Sequence, residues 1–266
     1  MRGKKRGQGQ SPCRGFRGET PIAPRLFPVK GEKRMIRQNR LIIDLEAIAH
    51  NYRALADFIP APAKVMAVVK ANAYGHGLVP VARAVTQEGA PMLAVAIAEE
   101  GVQLRQAGIQ TPVLVLGAAT KLSAQAALEY DLTQTVFDPE MLSFLENEAA
   151  QRGRTAQVHI KLDTGMGRIG LRSEGEARAL ALALTQCPHV KATGIYTHFA
   201  TADEPKADGT MNDYTRLQWE TYRRLAAFFP SGLTAHVANS AAALLYPEMR
   251  LSMVREGIAL YGYPPV

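Results

Sequence analysis

The stretch KVMAVVKANAYGHGLVPVARAVTQEGAPMLAVAI, residues 64–97, decides the fold. Its opening run, KVMAVV (64–69), is short, apolar and rich in valine, as a buried strand should be. LVPVARAVTQEG spaces its apolar residues as one face of a helix does, and MLAVAI (92–97) is a second buried run. Strand, helix, strand in this length is a βαβ unit. The unit also carries an oddity. A lysine, Lys70, stands at the mouth of the first strand, with Asn72, Tyr74 and His76 close behind it. The plain reading is a strand-closing lysine that points its charge to water, since lysines are rarely buried unless paired.

The same beat continues outward. Further apolar runs are PVLVLG (112–117), TQTVF (133–137), AQVHIKL (156–162), VKATGIYTHF (190–199), LTAHVAN (233–239) and MRLSMVREGIALYG (249–262). Helical patterns lie between them: AEEGVQLRQAG, KLSAQAALEY, PEMLSFLENEAAQRG, SEGEARALALALTQ, DYTRLQWETYRRLAAFF and SAAALLY. Ahead of the first run, LIIDLEAIAHNYRALADFI reads as a short strand entering an amphipathic helix. Eight strands alternating with helices predict an α/β fold, a (β/α)8 TIM-type barrel of the usual ~250 residues. An open doubly wound sheet is the alternative, and eight regular beats favour the barrel.

A barrel puts functional side chains at the C-terminal ends of its strands, with phosphate sites in the loops after strands 7 and 8. Those ends carry Lys70, Lys161 with Asp163 and Arg168, His198, Asn239–Ser240 and Arg255–Glu256–Gly257. Solvated strand ends would supply some of these residues but not the whole convergence. It argues against the plain reading of Lys70.

Composition sets the remaining bounds. Of 266 residues, 47% are hydrophobic and 21% charged, an ordinary globular balance. No run of about eighteen apolar residues is present, so no membrane span is expected. Two cysteines, Cys13 and Cys187, are too few for a disulfide framework and fit a reducing cytoplasm. The net charge of +7 is uneven. Residues 1–40 hold twelve Lys/Arg against two acids, and the other 226 hold nineteen against twenty-two. Residues 1–37 therefore read as a disordered basic extension, too poor in apolar period to fold alone. A nucleic-acid arm, a transit peptide and a start codon set too far upstream are the other readings. The barrel itself is expected to bind no nucleic acid.

Several motifs are set aside. GMGRIG (165–170) matches G-x-G-x-x-G, but no Asp or Glu lies between Glu176 and Asp203 to hold a ribose, so it is not read as a dinucleotide site. His159 and His236 alternate with apolar neighbours and read as packed barrel residues. The aromatics of DYTRLQWETYRRL read as helix packing. No cysteine pair or HExxH suggests a metal, and none is expected.

AVVKANAYGHG, KLDTGMGRIGL, THFATADE, HVANSAAAL and VREGIALYG stand in an order that resembles the alanine racemases dependent on pyridoxal 5′-phosphate (PLP), from about residue 38 to the end. The resemblance implies that Lys70 holds PLP as a Schiff base and serves as one catalytic base. It implies phosphate contacts from Tyr74, Ser240 and the amides of Gly257 and Ile258, with Asn239 beside them. It places Arg255 against the pyridine nitrogen, His198 between Arg255 and a catalytic tyrosine, and Arg168 beside that tyrosine. Lys161 matches a lysine that some members carbamylate, a plain Lys161–Asp163 ion pair being the alternative.

The family reaction interconverts L- and D-alanine in a homodimer, supplying D-alanine for peptidoglycan. Its second base is a tyrosine on a mainly β domain that follows the barrel and reaches the partner subunit's site. This chain ends at YGYPPV, just after strand 8. The expectation is a barrel domain at 38–266 that binds PLP but lacks the second base, with Tyr261 and Tyr263 as strand-end aromatics. A non-catalytic PLP-binding barrel is the other class, and serine is the other substrate.

Overall fold

Eight strands lie side by side in one parallel sheet: β1 (Lys64–Val68), β2 (Leu93–Val95), β3 (Val113–Ala118), β4 (Thr133–Val136), β5 (Ala156–Lys161), β6 (Val190–Tyr196), β7 (Thr234–His236) and β8 (Met253–Glu256). Their order is β7-β6-β5-β4-β3-β2-β1-β8, with β1 paired to both β2 and β8. Between β7 and β8, Ser252 N–H donates to Ala235 O at 3.1 Å and Arg255 N–H to Ala238 O at 3.0 Å. Those two bonds close the ring, and the fold is the (β/α)8 barrel that the repeating beat predicts. The computed structural model describes residues 41–266, so the basic segment 1–37 lies outside the described residues.

Helices return the chain on the outside: α1 (Leu45–Phe58), α3 (Leu78–Gln87), α4 (Ala98–Gln106), α5 (Lys121–Glu129), α6 (Pro139–Arg152), α7 (Glu174–Thr185), α8 (Asp213–Ala226) and α9 (Ser240–Leu245). Their ends are chemically marked. Asp44 caps α1, and Ser173 with Glu176 makes a reciprocal capping box on α7. Asp138 caps α6, whose first residue is Pro139 and whose end is closed by Gly153 in the left-handed region. The segment Lys70–Tyr74, α2, is a single turn of the opposite hand, described below.

Two expectations are corrected. Residues 41–44 form no strand, and the chain enters α1 directly, because Asp44 accepts from Ala47 N–H as a helix cap. The last run is a strand only over Met253–Glu256, flanked by 3-10 turns at Pro247–Met249 and Ile258–Tyr261. Pro247 opens the turn ahead of that run, and Gly257 interrupts its apolar pattern.

The interior is divided. On one side Met66, Val68, Ala94, Leu114 and Met253, from β1, β2, β3 and β8, make a small apolar plug. On the other, β5 to β8 contribute buried His159, Lys161, Tyr196, His236 and Arg255. The larger apolar core lies between strands and helices. Hydrophobic burial therefore holds the outer layer, while polar contacts order half of the barrel's interior.

Candidate active site

Ten residues singled out by sequence converge on one cavity of about 690 Å³ at the C-terminal ends of the strands: Lys70, Tyr74, Lys161, Arg168, His198, Asn239, Ser240, Arg255, Gly257 and Ile258. That volume suits a small organic ligand.

Lys70 follows β1 and opens an unusual backbone. Ala71, Asn72, Ala73 and Tyr74 all have φ between 51° and 54°, a left-handed turn built without glycine. The left-handed conformation costs roughly 1–2 kcal/mol per such residue. Local bonds offset part of that: Ala73 N–H donates to Val69 O at 2.8 Å, Leu78 N–H to Asn72 Oδ1 at 2.8 Å, and Gly77 N–H to Asn72 O at 3.0 Å. The turn leaves Lys70 half-buried at the cavity. Burial lowers its pKa first, the Arg168 and Arg255 cations lower it further, and Glu100 works against them.

Arg255 is buried on β8, and carbonyls take up much of its guanidinium. One terminal nitrogen donates to His236 O, the other to Thr197 O at 2.8 Å and Val237 O at 3.1 Å. Burial brings its pKa down to about 10, so it remains a cation at neutral pH. It also donates to His198 Nδ1 at 3.3 Å and His236 Nδ1 at 3.2 Å. An arginine can only donate, so both imidazoles accept through Nδ1 and carry their proton on Nε2. His236 Nε2 then donates to His159 Nδ1 at 2.8 Å. Burial holds His198 and His236 well below the usual histidine range and His159 at about 4, so all three are neutral. His159 and His236 are packed barrel residues as expected, and they also brace Arg255. Gly194 makes room for them, since a Cβ there would stand 2.6 Å from the His159 ring.

Lys161 is buried, and its amine donates to Leu162 O at 2.8 Å. Burial, reinforced by Arg255, pushes it down to about 7. The Lys161–Asp163 ion pair, the alternative to a carbamylated lysine, is absent among the described residues. The Asp163 carboxylate instead accepts from the backbone N–H groups of Gly167 and Arg168, each at 3.0 Å, and Gly165 at 3.3 Å, and pairs with Arg172 at 3.2 Å. Burial raises its pKa, but those backbone donors outweigh it and the net shift is downward. GMGRIG is thus a wrap around a carboxylate. Tyr214 closes it by donating to Gly165 O at 2.6 Å, so this tyrosine is more than helix packing.

At the seam between β7 and β8, Ser240 Oγ accepts from Gly257 N–H at 3.2 Å and Ala259 N–H at 3.4 Å. A Cβ on Gly257 would stand 3.2 Å from the Tyr74 hydroxyl, so glycine lets that phenol lean over the amides. Asn239 caps α9 by accepting from Ala242 N–H at 3.0 Å. Tyr261 donates to Val68 O at 3.0 Å and packs on Tyr74 and His76, whereas Tyr263 is exposed.

Sequence reasoning missed Glu100, Tyr196 and Gln218. Tyr196 stacks on His236 with ring centroids 4.6 Å apart. Gln218, fully buried, accepts from Ala200 N–H at 2.9 Å and donates to His198 O at 3.2 Å, fixing the loop that carries His198. A glutamine at helical spacing with Tyr222 and Leu225, on the face Thr215–Gln218–Tyr222–Leu225 that the helix buries, was the available signal.

Known proteins share this arrangement of chain. The family described as "Alanine racemase, N-terminal domain" matches residues 43–265. An alanine racemase of Symbiobacterium thermophilum is 48% identical over 227 residues, covering 84% of this chain and 58% of that protein. The solved alanine racemase of Clostridium difficile 630 superposes with a TM-score of 0.78 at 36% identity, over 84% of this chain and 58% of that one. A histidine racemase from Leuconostoc mesenteroides subsp. sake superposes at 0.74 with 31% identity, over 82% and 58%. The chain spans less than two thirds of each of these relatives. With a match from residue 43 to 265 and 48% identity to a curated relative over 227 aligned residues, the chain belongs to the alanine racemase N-terminal domain family.

Proposed function

We propose that this barrel is the PLP-binding part of an amino-acid racemase acting on L- and D-alanine, with Lys70 as the amine that holds the cofactor. The observation that carries the reading is one cavity joining a lysine of lowered pKa to a cradle that a side chain would fill. That cradle is Ser240 Oγ, the Gly257 amide and the Tyr74 hydroxyl. Hydroxyl donors suit a phosphate, and the Gly257 amide, which here donates to Ser240 Oγ, would turn to it, so the residues fit the group. The amide of Ile258 and Asn239 complete the cradle on this reading.

When bound, PLP supplies an electron sink for the charge left as an α-proton departs. Lys70 takes and returns that proton on one face of the substrate carbon. A depressed amine pKa leaves more of the neutral base available near pH 7. Arg255 would meet the ring nitrogen as a donor only, because it keeps its own proton. His198, neutral and with its Nε2 proton free, passes a hydrogen bond on from Arg255, and Arg168 adds positive charge. The neutral Lys161 amine can add carbon dioxide, forming an N–C bond and releasing a proton, and the resulting carbamate would pair with Arg168.

Racemisation needs a second proton donor on the opposite face. The family resemblance assigns it to a tyrosine of the partner subunit, on a β domain in the part of the relatives beyond the match. A homodimer, a role in supplying D-alanine for peptidoglycan, and a cytoplasmic setting follow from the same reading. So does the division into an extension at 1–37 and a barrel from about 38. No helix among the described residues is long and apolar enough to cross a membrane.

The test uses the 266-residue polypeptide. Borohydride reduction with PLP should label Lys70, and labelling elsewhere with Lys70 free would overturn the assignment. Chiral chromatography of alanine should show conversion at or near background, since losing one general base costs about 10²–10⁴-fold. Adding the family's β domain should restore turnover. Serine and histidine belong in the same panel, the latter because a histidine racemase shares the fold. PLP binding with no turnover of any of them after restoration would favour a non-catalytic PLP-binding barrel.

A further inference from the structure

Glu100 lies in the first turn of α4, half-buried, and is not a cavity-lining residue. Its two carboxylate oxygens bind two different pieces of backbone. Oε1 accepts from Asn72 N–H at 3.0 Å, in the middle of the left-handed turn, and Oε2 accepts from Ala96 N–H at 2.8 Å, just past the end of β2. The turn's own bonds run within residues 69–78, so the Glu100 bridge ties it to a neighbouring strand end. Lys70 itself has no carboxylate within ion-pairing distance among the described residues.

We propose that Glu100 is a positioning residue for the Lys70 amine, clamping the strained turn to β2 and setting a negative charge against the cations around that amine. The titratable groups lining the cavity beside that amine are Tyr74 on the turn, Lys161 on β5, Arg168 after β5, Tyr196 on β6, His198 and Asp203 after β6, and Arg255 on β8, of which Arg168 and Arg255 are the cations acting on Lys70. Glu100 is the group that raises the Lys70 pKa while burial, Arg168 and Arg255 lower it. Holding the turn and moderating the amine are therefore two effects of one side chain. They can be separated. Glutamine keeps one acceptor and turns an N–H toward the second donor, losing the charge and one bond. Aspartate keeps the charge but is one methylene short.

The proposal rests on Lys70 being the reactive amine, so the test reads Lys70 directly in the full chain before any cofactor is added. Acetylation of Lys70 by acetic anhydride is followed across pH by mass spectrometry, with hydrogen exchange at Asn72 and Ala96, in wild type, Glu100→Gln and Glu100→Asp. Glu100→Gln should move the Lys70 midpoint to lower pH, making the amine more reactive at neutral pH. Exchange at Asn72 or Ala96 should rise roughly tenfold or more, the size of a lost bond to a charged acceptor. Glu100→Asp should loosen the same amides with a smaller shift of the midpoint. An unmoved Lys70 titration in Glu100→Gln, or unchanged protection of both amides in both variants, overturns the proposal. If Glu100→Gln does not fold, unchanged amides in Glu100→Asp alone do so. PLP trapping on wild-type Lys70 is scored separately, so failure of the functional reading and failure of the clamp give different results.

Discussion

The ends of β1 and β5 solve one problem in two ways. Each places a lysine at the cavity, Lys70 or Lys161, and each follows it with a tight turn that a carboxylate ties down through backbone N–H donors. After β5 the carboxylate is local: Asp163 binds amides two, four and five residues on. The positive φ values fall on glycines, 138° at Gly165, 71° at Gly167 and 128° at Gly170. After β1 the carboxylate is remote, Glu100, and positive φ values fall on two alanines, an asparagine and a tyrosine before they reach Gly75 and Gly77. The β5 turn is relaxed and self-contained. The β1 turn is strained and needs a neighbour to hold it, which is where strain is commonly stored when a functional group must be aimed.

The largest expected effect breaks the self-contained turn. Asp163→Ala removes a carboxylate whose side chain is 1% exposed and leaves three amides without their acceptor. Urea denaturation should show a loss of about 3–5 kcal/mol. A loss under about 1 kcal/mol would mean water replaces the carboxylate easily. Gly170→Ala comes next, since its Cβ would stand 2.5 Å from Asp163 N in a backbone at φ 128°. With rigid backbone opposite, about 2–4 kcal/mol should be lost.

The third test sets the lysines apart by pH. The Lys161 amine sits at about 7 in the fold against an ordinary 10.5, so the unfolded chain binds this proton more tightly. The contribution is fully favourable above about pH 10.5 and is lost as pH falls towards about 7. Lys161→Met in carbon-dioxide-free buffer should be more stable than wild type by about 1–3 kcal/mol at neutral pH, with the gap closing in alkali. Raising carbon dioxide should narrow the neutral gap if the amine is carbamylated. The smallest effect is a gain. Ala71→Gly, at an exposed position with φ 53°, relieves left-handed strain and should stabilise the chain by about 0.5–1 kcal/mol. A destabilised Ala71→Gly would remove the claim that this turn is strained.

The sequence was most readable where the information is local. Strand and helix periods and Lys70 at a strand mouth are short-range signals, and the barrel follows from the repetition of those periods. What could not be read was which distant groups meet. Glu100 is one of two adjacent glutamates at the start of an ordinary helix, and nothing in that pattern names Asn72 as its partner. The alternative Lys161–Asp163 pair rests on two residues of separation, whereas the wrapped turn directs the carboxylate to its own amides and to Arg172. His236 looked like packing because burial and hydrogen bonding to Arg255 leave the same alternating pattern. The LII run at 41–43 shows the converse, an apolar triplet with no strand partner to make it a strand.

The seam between β7 and β8 has a further consequence. Two backbone bonds join these strands where the neighbouring pairs have regular ladders, and the Arg255 guanidinium reaches across to the carbonyls of His236, Val237 and Thr197. The fold's least zipped joint is thus riveted by a side chain of the site, with Ser240 and the Gly257 amide on its two banks. A phosphate gripped by both banks would add a strut across the opening, so occupancy and ring closure are thermodynamically linked. The joint should be the first to breathe when empty, and filling it should slow amide exchange along β7 and β8 more than along β3 and β4 on the far wall.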